Sequence, residues 1–352
     1  KLNKIKYMAC KIDKSRPDPY CAAPFLSPAI TPDGFKMCSS PSSKSFPDIK
    51  FWNEEYMQNI REQWMNDIVP TDCEDCYLNA RPVQGAKFIP NKSKTIPLNF
   101  QHLYLARSNR CDLACEMCSA TISHTWDKVW GDGKVGIIDN DFDLTPYLWE
   151  TENIAISGGN PVLDSKINDI IDGLDNNVVK RFLITSNGSV FPDRMLNKII
   201  DKKLKCDVLL IFSIDGPKAF NEKARLGAKQ ERIYKTINSV IEKTKHIDNI
   251  KICIETTGTN ESVMHLIGLY EEILENVDMK GKDGPYMIGN ICCYPESLAL
   301  HNANEETWKY MEGELFRFFI KRQHLTPLAM QFFNMVNLFC NVVHKAINRN
   351  NN

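Results

Sequence analysis

Ser108-Asn-Arg-Cys111-Asp-Leu-Ala-Cys115-Glu-Met-Cys118 follows directly on His102–Arg107, an apolar run with the length of a β-strand. The three cysteines therefore fall on a strand-to-helix loop. Thiolate is the soft anionic ligand of iron–sulfur clusters, and three thiolates at Cys-x3-Cys-x2-Cys spacing can converge on three irons of a cubane. The fourth iron is then left without a cysteine. Simple electron transfer does not need an open iron, whereas a small molecule that chelates the cluster does. Two other readings stay open on spacing alone: a zinc site completed by a residue such as His124, or three unconnected buried thiols. Zinc motifs usually come as paired Cys-x2-Cys or Cys/His units, and the ferredoxin run is spaced differently.

Working outward, short apolar runs alternate with amphipathic stretches from Leu98 onward. The predicted strands are His102–Arg107, Asn153–Ser157, Arg181–Ser186, Asp207–Ser213, Asn249–Glu255 and Tyr286–Cys292. Helices are expected between them at Ser165–Leu174, Asp193–Lys203, Gln230–Lys245 and Ser262–Asn276. This alternation predicts an α/β fold of parallel strands joined by right-handed crossovers, either a barrel or a doubly wound sheet. In both, chemistry gathers where strands end and loops begin. Glu305 to Asn348 reads as two helices broken at Pro327. Residues 1–97 read as loop-rich, with a helix over Glu54 to Asp67 and a linker over Gly85 to Pro97.

Composition narrows the function classes. Lys+Arg 43 against Asp+Glu 44 gives a net charge of -1, so no global field draws the 352-residue chain to nucleic acid or to an anionic membrane. The longest apolar runs, such as Val208-Leu-Leu-Ile-Phe212, are strand-sized and far short of the roughly 20 residues that span a bilayer. Met8-Ala9-Cys10 is similar to a lipoprotein cleavage site but lacks the apolar stretch of an export signal, so a cytoplasmic protein is expected. Thirteen cysteines, odd in number and unevenly spaced, do not form a small secreted disulfide framework. Metal binding is the leading explanation.

The motif resembles the signature of the radical S-adenosylmethionine superfamily, and later segments match that family in order. Ser157-Gly158-Gly159-Asn160-Pro161 after the second strand resembles the family's Gly-Gly-Glu-Pro-like turn, which binds the methionyl amino group. Thr185-Ser186-Asn187-Gly188 after the third strand resembles its Thr-Asn-Gly turn. Ser213-Ile-Asp215-Gly216-Pro217 resembles its ribose-side residues, and Arg225 falls where relatives place a cofactor-contacting or structural arginine. The resemblance covers residues 98–300 and implies a partial (β/α)6 TIM-type barrel. It implies a [4Fe–4S] cluster on Cys111, Cys115 and Cys118, with S-adenosylmethionine held by Met117, Gly158, Gly159, Asn160, Pro161, Ser186, Asn187, Ser213, Asp215 and Arg225. Asn160 stands where the family usually has Glu, so the turn loses a negative charge while its carbonyl can still accept hydrogen bonds. Met117 occupies a position that is commonly aromatic, and a thioether packs adequately on a ring.

Before the barrel, Cys21, Cys38, Cys73 and Cys76 can fully ligate a second cluster or a zinc ion, either of which would organise a segment too polar to build its own core. With Cys21-Ala-Ala-Pro24-Phe25, they resemble the N-terminal cysteine region of twitch-domain, SPASM-like radical S-adenosylmethionine proteins, which implies an auxiliary [4Fe–4S] cluster. Cys10 is a spare ligand. The expected division is 1–97 auxiliary module and linker, 98–300 barrel, and 301–352 helical extension. Cys206, Cys253 and Cys340 read as core. Cys292 and Cys293 end the sixth strand and are candidate hydrogen donors to a substrate radical. The histidines form no cluster of metal-like spacing, and His124, one turn past the motif, is the one worth testing.

The expected activity is reductive cleavage of S-adenosylmethionine to a 5′-deoxyadenosyl radical that takes hydrogen from a peptide or small-molecule substrate. An electron donor such as flavodoxin or ferredoxin is implied. The alternatives are an iron–sulfur electron carrier and a zinc-module peptide-binding protein, neither cleaving the cofactor.

Overall fold

Six strands stand where the apolar runs place them: β1 (His102–Leu105), β2 (Asn153–Ile156), β3 (Arg181–Ser186), β4 (Asp207–Ser213), β5 (Ile250–Gly258) and β6 (Tyr286–Ile291). The computed structural model describes residues 11–14, 19–40, 43–78, 85–86, 93–98, 100–278, 285–292 and 295–350. Cys10, Cys293 and residues 87–92 of the expected linker lie outside the described residues. Each of the six strands pairs in parallel with the next. Their order in the sheet is their order in the chain, so the strand order never reverses as a doubly wound sheet requires. The fold is a partial (β/α)6 barrel. All six loops that follow these strands gather at one end of it.

The crossover helices owe their form to apolar spacing. In Gln230–Thr244, Ile233, Tyr234, Ile237, Val240 and Thr244 are buried, a stripe at three- and four-residue intervals that faces the sheet. The long helix Pro327–Asn350 starts at the proline expected to break the tail, because proline is tolerated in a first turn. Phe339 of that helix fills the space beside Gly258 and Gly289, where an added Cβ would lie 2.8 and 3.1 Å from its ring. The far edge of the sheet is covered in this way.

At the other edge the N-terminal region departs from the loop-rich expectation. Ala29–Thr31 pairs in parallel with β1, and Gly34–Lys36 and Ser45–Phe46 follow as antiparallel strands, extending the sheet to nine strands. The turn needs Gly34: its φ is +130°, and a Cβ there would stand 2.3 Å from the Phe46 carbonyl oxygen. Gly85–Ala86, within the expected linker, pairs with Tyr20–Cys21. The segment is also less polar inside than expected. Phe25, Phe51, Trp52, Met57 and Trp64 are buried, and Trp52 meets Phe100 edge to face at 5.6 Å. Its short apolar runs are spread between Pro and Ser residues, which hid this core from a periodicity reading.

Helices α1 (Glu55–Met65) and α2 (Thr71–Leu78) complete the region. Arg61 of α1 is fully buried, and among the described residues no carboxylate pairs with it. Its Nε donates to the Pro24 carbonyl at 2.8 Å and its Nη1 to the Lys94 carbonyl at 2.8 Å, and the guanidinium lies 4.9 Å from the Trp52 ring. Burial lowers its pKa to about 10. Because Arg61 ties three separate segments, Arg61→Ala should lower unfolding stability by about 3–5 kcal/mol. Chemical denaturation of the full chain measures this, with Arg61→Lys expected to lose less.

Candidate active site

The cysteine motif is held by side chains from the helix that follows it, α3 (His124–Trp130). Ser123 caps that helix by accepting from the Trp126 N–H at 3.1 Å, and its hydroxyl donates to the Leu113 carbonyl at 2.6 Å. Nδ1 of His124 accepts the Cys111 N–H at 3.2 Å, while Thr125 donates to the Cys111 carbonyl. Trp130 Nε1 donates to the Ala114 carbonyl at 3.0 Å. His124 thus supports the loop backbone through Nδ1. Of these clamps only the position of His124 drew attention in the sequence, although Ser123, three residues before Trp126, is a legible N-cap.

Ala114–Cys115 also forms a two-residue antiparallel ladder with Arg225–Leu226, with Cys115 opposite Arg225. The Arg225 guanidinium is buried and grips the fully buried Asp215 carboxylate with two bonds, Nε at 2.7 Å and Nη2 at 3.0 Å. Its Nη1 points to the Cys115 sulfur at 3.9 Å. Burial alone would lower the Arg225 pKa, but Asp215 and the Cys115 thiol reverse that, and the net shift is upward. Asp215 Oδ1 also accepts the Thr257 N–H of β5 at 2.8 Å.

The glycine turn presses on the same loop. Gly158 and Gly159 have φ of +74° and +50°, and a Cβ on Gly159 would lie 2.4 Å from the Arg110 carbonyl oxygen. The Asn160 N–H donates to that carbonyl at 2.7 Å. The Asn160 side chain is buried: Nδ2 donates to Asn187 Oδ1 at 2.8 Å and Oδ1 accepts from Ser186 Oγ at 3.0 Å. Asn187 Nδ2 in turn reaches Asp112 Oδ1 at 2.9 Å and the Cys111 sulfur at 3.7 Å. Pro161 opens the short 3-10 turn Pro161–Leu163, which Asn160 caps. Met117 packs on the core and Ser213 is buried at the end of β4.

Burial raises the pKa of all three motif thiols, to about 11 for Cys115. Thiolates there call for a cationic group among them, and Arg225 and Asn187 direct N–H donors at two of the sulfurs. This donor set fits an iron–sulfur cluster.

Cys73 and Cys76 lie one turn apart on α2, a helix where a loop was expected. Burial raises the Cys73 thiol, and the neighbouring Cys21, Cys38 and Cys76 raise it further. The four N-terminal cysteines are therefore grouped. Among the described residues, no three His, Cys, Asp or Glu side chains are set to hold a single metal ion. Cys21, Cys38 and Cys76 open on a cavity of about 470 Å³ whose other wall is the barrel interior, including Tyr104, Ser157, Thr185 and Glu255. Sequence reading missed Tyr104 and Glu255 as cavity residues, for their strands look the same whichever face is inward. Cys292 is buried at the end of β6, its N–H donating to the Gly258 carbonyl at 3.0 Å, and is not among the residues lining this cavity.

No protein-family model and no curated protein matches the chain. Among solved structures it is similar to anSMEcpe with bound AdoMet, at 18% identity and a TM-score of 0.44 over 63% of this chain and 60% of that one. It is similar to anSMEcpe with bound AdoMet and the Cp18Cys peptide, at 16% identity and a TM-score of 0.42 over 63% and 60% of the two chains. It is also similar to Streptococcus suis SuiB bound to S-adenosylmethionine, at 16% identity and a TM-score of 0.39 over 76% and 60%. The chain thus spans about 60% of the length of these structures.

The buried Asp215–Arg225 pair yields a stability prediction. Asp215→Asn leaves a buried guanidinium without its anion and should cost about 3–5 kcal/mol, whereas the double change Asp215→Leu with Arg225→Met should cost less than the single. Denaturant titration of both variants decides between these outcomes.

Proposed function

We propose that the chain is a radical S-adenosylmethionine enzyme. The observation that carries this reading is the meeting of two buried thiols and one half-buried thiol, the positive-φ glycine turn and the Asp215–Arg225 pair around one loop at the strand ends. Cys111, Cys115 and Cys118 would hold a [4Fe–4S] cluster with one open iron. When bound, that cluster supplies the electron that cleaves S-adenosylmethionine to a 5′-deoxyadenosyl radical able to take hydrogen from a substrate. The chain's own residues do the positioning. Arg225 holds Cys115 through both backbone ladder and guanidinium, and Asn187 steadies Cys111. Gly158 and Gly159 let the turn approach the cluster loop closely enough for its backbone to face the cofactor, and Ser213 lies at the mouth of β4 for the ribose.

The 1–97 region is proposed as a module carrying an auxiliary [4Fe–4S] cluster on Cys21, Cys38, Cys73 and Cys76, followed by the 98–300 barrel and the 301–352 extension. Four cysteine ligands would favour electron relay over direct substrate ligation. The proposed substrate is a peptide or small molecule entering the cavity of about 470 Å³, a size suited to one side chain or small ligand. No described helix is long and apolar enough to cross a membrane, and the protein is proposed to work in the cytoplasm with a flavodoxin or ferredoxin as donor.

Anaerobic reconstitution should give about eight irons and about eight sulfides per chain. Dithionite should then release 5′-deoxyadenosine from S-adenosylmethionine. Replacing Cys111, Cys115 and Cys118 by Ala should remove about half the iron and abolish that product, while replacing Cys73 and Cys76 should remove the other half and leave 5′-deoxyadenosine formation detectable. Clusters without cleavage would point instead to an electron carrier, and one cluster with bound zinc to a zinc-based binding module.

A further inference from the structure

Glu255 lies on β5 in register with Ser213, and its carboxylate opens on the cavity between the barrel and the N-terminal thiols. Among the described residues lining that cavity it is the one carboxylate, and no Lys, Arg or His lines it. Its surroundings leave it without a neutralising partner. Arg225 is the nearby cation, but that guanidinium already makes two bonds to Asp215 and points its remaining arm at Cys115. No hydrogen bond or ion pair of the Glu255 carboxylate is made within the described residues. Tyr104 shares the cavity, and burial raises its pKa.

We infer that Glu255 anchors the substrate, selecting one that presents a cationic nitrogen, such as a primary ammonium group, to the barrel interior. This rests on the proposed reading of the barrel as the reaction chamber. A half-buried carboxylate with no ion-pair partner is less well stabilised than one in bulk water, and a cation that enters with the ligand supplies the missing partner. Burial raises the Glu255 pKa and Asp215 adds to the rise, while Arg225 only partly opposes it, so the site favours an arriving positive charge. The remaining cavity wall is apolar or neutral, with Ala155, Leu183, Ile211 and Ile291. An anionic group would meet Glu255 with no cation to offset it. Polar pairing of this kind discriminates far more strongly than apolar fit, because the analogue without the charge leaves the carboxylate unsatisfied.

The test is equilibrium dialysis under anaerobic conditions with the full reconstituted chain and S-adenosylmethionine present, using n-butylammonium, n-butanol and butyrate as probes. Butylammonium should bind at least about tenfold more tightly than butanol, and butyrate more weakly than either. Glu255→Gln should bring the cation preference below about twofold, and Glu255→Asp should restore part of it. A wild-type protein without the preference, or a Glu255→Gln variant that keeps it while folded by circular dichroism, would overturn the inference. Should Glu255→Gln fail to fold, Glu255→Asp and the wild-type probe series still decide it. Wild-type 5′-deoxyadenosine formation is measured in parallel. Its absence alongside a cation preference would count against the cofactor chemistry and leave the anchoring role standing.

Discussion

One buried ion pair holds the site together. Arg225 pairs with the cysteine-motif loop through its backbone and with Asp215 through its guanidinium, so the first barrel loop, the segment after β4 and the last residues of β5 are tied together. Buried ion pairs are poor sources of net stability, since desolvation takes back most of the Coulomb attraction. Their strength lies in geometry. A bidentate guanidinium fixes both distance and direction, which a lysine in this place could not do. The Asp215 N–H is itself satisfied by Asn221, whose amide is held by Gln230, and so the pair is braced from the helix behind it.

The same accounting of charge explains why the second turn tolerates Asn160. A glutamate there would put a carboxylate beside the motif thiols, two of which are buried. In this chain the Asn160 amide instead extends a neutral chain through Ser186 and Asn187, and the carboxylate at its end belongs to Asp112 of the motif itself. Negative charge is therefore still present near the glycine turn, but it is exposed and carried by the cysteine-motif loop. Asn187 links the two, donating both to Asp112 and toward the Cys111 sulfur.

Much of this architecture was legible in the sequence, and the reasons differ from element to element. The strands β3 and β4 match their predicted bounds end to end: β4 reads as a nearly continuous apolar run because most of it is buried, and β3 through the alternation of its buried Phe182, Ile184 and Ser186. Strand β5 runs on to Gly258, three residues beyond expectation, because Thr256 and Thr257 suit a strand yet look polar in a hydropathy reading. The cysteine motif and the glycine turn were visible through fixed spacing. The clamps from α3 were not, because hydrogen bonds from side chains to loop backbone leave no periodic trace. The N-terminal strands escaped for a related reason: at two or three residues each they have no period to read, and their pairing with β1 is a long-range event.

That pairing decides how the two cysteine sets relate. Ala29–Thr31 aligns beside β1, and this fixes the N-terminal region against the barrel edge through backbone bonds and not merely through a flexible tether. Arg61 then ties α1 to the Pro24 carbonyl, next to Ala23 on the cavity wall. Cys21, Cys38 and Cys76 consequently face the barrel interior, while Cys73 lies behind them, buried on α2. A group held by these thiols would form part of the chamber wall opposite Glu255. The region that carries these thiols also closes the chamber, so the packing of the N-terminal segment and the shape of the cavity depend on the same few side chains.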